Sequence, residues 1–277
     1  MFWRLLNLDR KVIFLLVLAA AGIPLFFPLN IGIKPSQPVK NIYNFIEKLS
    51  PGKNILISFD YGPSTRIECA PMAAAVMRQA FRRGLRVVGL TIWPEGAALA
   101  SDLLKRVGKE CGKEYGRDYL DLGYKPGNEM AILALSKGIQ TICPRDAAGT
   151  PIEEFPILSG IRTLRDFDLI LSFSGGFPGL TDWITIAQAQ CHRPVAGGCT
   201  AVIASQLYPY INSGQLLGLM GGLKGAAEYE TLIGQPEEAC LAMDAQGVTH
   251  FLIAGLILLS NLVFFATRKK KKRSGGA

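Results

Sequence analysis

The chain has 277 residues, 49% of them hydrophobic, and a formal net charge of +8. That charge sits at the two ends, because residues 34–244 carry 21 basic and 21 acidic side chains and are neutral. The charge is therefore no sign of a folded basic face, which excludes nucleic acid as the expected partner. The length leaves room for one full-sized domain between two apolar runs.

Residues 12–33 carry no charged side chain, nor do residues 245–267. About twenty apolar residues in a helix cross a bilayer core. The sequence thus predicts a cytoplasmic flank over 1–11 and a transmembrane signal anchor over 12–33. A second transmembrane helix is expected over 245–267, followed by a basic tail over 268–277. A cleaved signal peptide ending near Ala19, Ala20, Ala21 and Gly22 is the rival reading. The apolar run continues through Ile23, Leu25, Phe26, Phe27 and Leu29, which favours an uncleaved anchor. Pro24 and Pro28 are expected to kink or end this helix. The six consecutive basic residues from Arg268 to Arg273 should stay in the cytoplasm. Both termini are then cytoplasmic, the middle of the chain is extracytoplasmic, and the lipid bilayer is the first partner.

Residues 34–52 read as a membrane-proximal connector, with Ile42, Phe45, Ile46 and Leu49 at helical spacing and Pro51-Gly52 as its end. The α/β domain is expected over 53–244. It opens on an uninterrupted apolar strand at 54–59, followed by a helix over 67–83 and a second buried strand at 86–92. A helix over 97–114, a weaker strand at 119–122 and a short helix over 128–136 come next. Residues 137–166 look irregular, broken by Pro144, Pro151 and Pro156. Then follow a strong strand at 168–173, a helix over 181–190 and a last strand at 194–197. A long helical region is expected over 199–233. In it Gly214, Gly218 and Gly222 recur every four residues, a spacing that lets helices approach closely and marks a candidate oligomer contact. Buried strands alternating with helices mean a mostly parallel sheet wrapped by helices, Rossmann-like or flavodoxin-like.

In such sheets ligands bind beyond the carboxyl ends of the strands. Five Gly-containing segments should lie there: 60–65, 93–96, 123–128, 174–179 and 197–200. They bring Asp60, Ser64, Thr65, Glu68, Glu95 and Lys125, with the amides of Ser174, Gly175 and Gly176, to one candidate ligand-binding rim. Thr65 and Glu68 also have the spacing of a capping box. Asp60 is the candidate base, assisted by Ser64, Glu95 or Cys199, the last as a thiol at a helix start. The dinucleotide fingerprint, the Walker A pattern and the CxxC pair are all missing, so no cofactor is expected. Only His192 and His250 are available for a His-based metal site or a triad, and no metal is expected. Six cysteines at irregular spacing do not form a disulfide framework.

Two functions remain open. One is a membrane-anchored domain that binds a ligand or protein partner, as a homo-oligomer or with other membrane subunits. The other is a membrane-tethered hydrolase or transferase using Asp60. The missing catalytic histidine and missing cofactor motifs favour binding.

Overall fold

The computed structural model describes residues 9–27, 29 and 33–274. The chain divides into two compact units, Ile33–Ala239 and a second made of Met1–Gly32 with Cys240–Ala277.

In the larger unit, α2 (Gln37–Lys48) comes first, followed by β1 (Asn54–Asp60), α3 (Arg66–Arg82), β2 (Arg86–Thr91), α4 (Gly96–Glu110) and β3 (Tyr119–Tyr124). Then come α5 (Glu129–Lys137), the one-turn α6 (Ile139–Ile142), β4 (Leu169–Ser174) and α7 (Leu180–Trp183), which runs on into a π turn at Ile184–Gln188. The unit closes with β5 (Val195–Cys199), α8 (Ala201–Asn212), β6 (Leu219–Gly221) and α9 (Gly222–Leu232). Each of the uncharged runs at β1, β2 and β4 is a strand buried along nearly its whole length, which is why it shows no polar alternation.

The six strands form one all-parallel sheet in the order β3-β2-β1-β4-β5-β6. Of the two expected architectures this is the Rossmann order, with the reversal between β1 and β4. The two strands run in register from Ile55↔Leu169 to Asp60↔Ser174. Helices α2, α3, α4 and α9 pack on one another, as do α5 and α7. Val39, Ile42 and Ile46 of α2 are buried, so the segment expected to be a membrane-proximal connector is a packed layer of the domain.

Several expectations need correction. The predicted helix over 199–233 is two helices separated by a sixth strand, β6. Gly214, Gly218 and Gly222 therefore make no helical stripe. Gly214 turns the chain with φ +75°. Gly218 is pressed against the Pro38 carbonyl and Ile42, and Gly222, with φ +60°, against Ala201. Gly218 and Gly222 are buried inside this unit, where their small size serves its own packing. Residues 137–166 are not structureless: α6 and three single 3-10 turns close over Ile152, Ile157, Leu158 and Leu164.

The second unit holds α1 (Arg10–Phe26) and most of α10 (Glu238–Ser274). Helix α1 contains Pro24 and stops before Pro28. The rest of the expected first span, residues 28 and 30–32, lies outside the described residues. Within this unit the Leu29 amide donates to Asp244 Oδ2 at 3.0 Å. Among the described helices, one stretch is long and apolar enough to cross a membrane, Glu238–Phe265 of α10, with a mean hydropathy of 2.1 over its best window. Phe14, Leu15, Leu18 and Phe26 of α1 and Phe251, Leu258, Leu262 and Phe265 of α10 are exposed.

Candidate functional site

The strand reversal puts the carboxyl ends of β1 and β4 side by side, and Asp60 ends β1 there. Asp60 is fully buried. Its Oδ1 accepts from the Ser58 hydroxyl at 2.6 Å and from the Ile92 amide at 3.1 Å. Its Oδ2 accepts from the Ser172 hydroxyl at 2.8 Å and from the Trp183 indole N–H at 3.0 Å. Ser58 and Asp60 share a face because side chains alternate along a strand, and Ser172 is the register partner of Ser58. Burial raises the Asp60 carboxyl to about 6, against the pull of Ser58, the Ile92 amide, Ser172 and Trp183. A carboxylate has about four lone-pair sites. All four here accept from the protein, so none faces a substrate. In this conformation Asp60 ties β1, β2, β4 and the turn at Trp183 together.

Other predicted residues are spread differently. Ser64 is exposed, while Thr65 is half-buried with its hydroxyl 3.4 Å from the Gly62 carbonyl. The expected capping box from Thr65 is not formed. Glu68 turns to another helix, and its Oε2 accepts from the Ala201 amide at 2.9 Å, the first residue of α8. That bond satisfies one of the free amides every helix start carries. Glu95 is exposed and reaches over Gly62. Lys125 is nearly buried and lies beside Cys143, whose thiol burial pushes up to about 11. Cys199 ends β5 fully buried, with its thiol raised to about 12 by burial and the Glu68 charge. A thiol that high carries almost no thiolate near neutral pH. His192 stands before β5, at the strand end opposite Cys199. All six cysteines are free thiols. No group of three or more His, Cys, Asp or Glu able to hold a metal occurs among the described residues.

The crevice at the reversal is filled by its own loops. The Gly175 amide donates to the Asp60 carbonyl at 2.9 Å, carrying the β1–β4 pairing beyond the strand end. Thr65 packs so closely on Gly175 that a side chain there would collide with it. The Trp93 indole N–H donates to the Pro178 carbonyl at 2.6 Å, and its ring covers Gly176. Ser174 is buried, and its hydroxyl accepts from the Leu180 amide at 3.3 Å. Of the predicted anion cradle, the Gly175 amide is thus already used.

Above this closed floor stands a rim absent from the sequence reading. Ile67, Met130, Phe177 and Val202 are 57–83% exposed. Ile67, Met130 and Val202 are the second residues of α3, α5 and α8, and Phe177 lies in the loop after β4. All four therefore occupy the carboxyl edge. Tyr124, the last residue of β3, joins them at 36%. Of the exposed large apolar side chains described in Ile33–Ala239, Tyr208 alone stands farther along a helix. The sequence does carry a signal, a large apolar residue at the second position of each of these three helices. Trp183, by contrast, has no local signal, because its partner lies across the fold.

What the fold and this edge define is a doubly wound α/β domain whose usual ligand crevice is closed and whose crevice edge carries exposed apolar side chains. No protein-family model matches the chain, and no curated protein sequence matches it.

Proposed function

We propose that Ile33–Ala239 is a docking domain, held at a membrane through α10, that engages a protein subunit through the carboxyl edge of its sheet. The observation that carries this reading is the exposure of Ile67, Met130, Phe177 and Val202 along the carboxyl edge of the sheet, beside a closed crevice. Large apolar side chains exposed on one edge of a domain offer a surface for protein contact. Small molecules need a concave pocket, whereas apolar tips from four separate elements offer a broad surface. Both linkers attach to α9. Glu228 accepts from the Ser36 amide at 3.0 Å and from its hydroxyl at 2.6 Å. Glu230 accepts from the Glu237 and Ala239 amides at 2.9 and 3.0 Å. These bonds lie in the half of α9 remote from the rim. The enzyme reading gains no support from a sealed Asp60 and a protonated Cys199.

In this reading α1 and α10 are two spans, both termini are cytoplasmic and the domain is extracytoplasmic. The charge-free runs and the basic tail support that arrangement. Their lipid-sized exposed side chains, such as Phe14 and Phe251, agree with it. In oriented vesicles a protease added from outside should digest the domain and spare a tag placed after Ala277. Digestion of the tag alone would reverse the topology.

A photo-crosslinking residue at Phe177 or Val202, in native membranes, should give one discrete adduct with a second, different membrane subunit. The same residue at Ser50, on the opposite edge, should give none. Ile67→Ser and Phe177→Ser together should remove the adduct without lowering the unfolding temperature, since both side chains are exposed. Adducts of equal yield from both edges would sink the docking reading. An adduct of two copies of this chain would replace the foreign subunit by self-assembly.

A further inference from the structure

Strand β3 lies at the margin of the sheet. The loop that follows α6 covers its free side, with the Ala147 amide donating to the Asp121 carbonyl at 2.9 Å. Tyr119 and Asp121 share one face of β3, by strand alternation. Helix α4 meets them with Ser101, Lys105 and Gly108, a single stripe at helical spacing. At Gly108 the approach is so close that a Cβ would strike the Tyr119 ring. Toward Ser101 and Lys105 there is a cavity of about 240 Å³, lined also by Tyr115, Tyr119 and Asp121.

A stripe that faces a strand is expected to be apolar, and here it is polar. Asp121 is 2% exposed. Its Oδ1 accepts from the Gly123 amide at 2.8 Å, while its Oδ2 has no partner within hydrogen-bond distance among the described residues. The Ser101 hydroxyl acts on Asp121 as a hydrogen-bond donor and the Lys105 ammonium through its charge, the latter without a close ion pair among the described residues. Burial still pushes the Asp121 carboxyl up. The Tyr115 hydroxyl is committed to Asp146 at 2.6 Å, so what Tyr115 offers a ligand is its ring. That ring stands edge-on to the ring of Tyr119, centroids 5.4 Å apart.

We propose that this cavity binds a small zwitterion of the amino-acid type, its ammonium toward Asp121 and the two tyrosine rings, its carboxylate toward Lys105 and Ser101. A buried carboxylate oxygen without a donor is costly, and an ammonium supplies the donor. Aromatic rings add attraction for a cation. Lys105 is exposed at the mouth, where it supplies the opposite charge to the other end of the ligand. A ligand with one charge satisfies one end and leaves the other unmatched. The volume suits a few carbons between the two charges. The site is independent of the docking edge, and either can fail alone.

The test is calorimetric titration of the full chain in nanodiscs at pH 7 with L-alanine, 4-aminobutanoate, propylamine and propanoate. At least one of the two amino acids should bind, with propylamine and propanoate weaker by about tenfold or more. Asp121→Asn and Lys105→Met should each weaken the amino acid by about tenfold or more. Lys105 is exposed, so Lys105→Met tests the site even where Asp121→Asn unfolds the domain. Absence of binding by both amino acids overturns the proposal. So does amino-acid binding that is unchanged in Lys105→Met, or propylamine binding as tightly as the amino acid.

Discussion

Asp60→Ala should lower the stability of the domain by about 3–5 kcal/mol at neutral pH, because four buried donors lose their acceptor together. The substitution leaves the Ser58 and Ser172 hydroxyls, the Trp183 indole N–H and the Ile92 amide without their acceptor. Each buried donor without a partner costs about 1–3 kcal/mol, and hydroxyls that rotate to new acceptors recover part of it. Because Asp60 joins three strands, the loss should appear as one cooperative shift in urea unfolding. A loss below about 1 kcal/mol would mean that the network is not held as described.

The same residue sets a pH dependence. Its folded-state value of about 6 lies above the 3.8 of an ordinary Asp carboxyl. The folded state therefore binds the proton more tightly than the unfolded chain. The stability gained from that proton is fully present below pH 3.8 and is lost as pH rises through about 6. The shift corresponds to about 2–3 kcal/mol. Asp60→Asn removes the titration and nearly keeps the shape. Between pH 7 and pH 4 the native protein should thus gain about 2–3 kcal/mol relative to Asp60→Asn. Parallel stability profiles for the two proteins would show that Asp60 does not titrate in this range.

Gly197→Ala should be the most damaging single methyl in the sheet. Gly197 lies inside β5, paired with Ser172 on one side and Leu219 on the other. An added Cβ would run into the Ser172 carbonyl oxygen and stand 3.1 Å from a Leu180 methyl. The obstacle is backbone held in a ladder, so relief requires β4 and β5 to part. Overpacking of a core costs about 1–3 kcal/mol and sometimes more. For a domain of this size, that upper value lowers the unfolding temperature by about 6–12 °C. Gly176→Ala is the matched control, because its Cβ would meet the Trp93 ring at an ordinary 3.6 Å. Equal shifts for the two variants, read by circular dichroism, would contradict the packing argument.

Gly197 also shows how far the sequence could be read. Its pair with Gly198 looks like a turn, because glycine marks turns more often than strands. Only the neighbouring strand reveals that both are close approaches inside β5, Gly197 to Ser172 and Gly198 to Met72. The three-residue strand β6 went unseen for a related reason. Leu219–Gly221 is too short to show a periodicity, and only pairing with β5 makes it a strand. Without β6, the glycines before it read as one helix face.

Local pattern by itself determined the α/β class, the three strongest strands and the apolar stretch of α10. Those features follow from consecutive residues, since a strand covered on both faces is apolar throughout and a span is one long apolar helix. It also placed Asp60 at the end of the first strand. What becomes of Asp60 was decided by the tertiary structure, because Ser172 lies 112 residues away and Trp183 lies 123 away. The same holds for Glu68, which caps a helix 133 residues on rather than its own. A buried polar group takes whatever partner the fold brings within about 3 Å, and sequence spacing carries no record of that encounter.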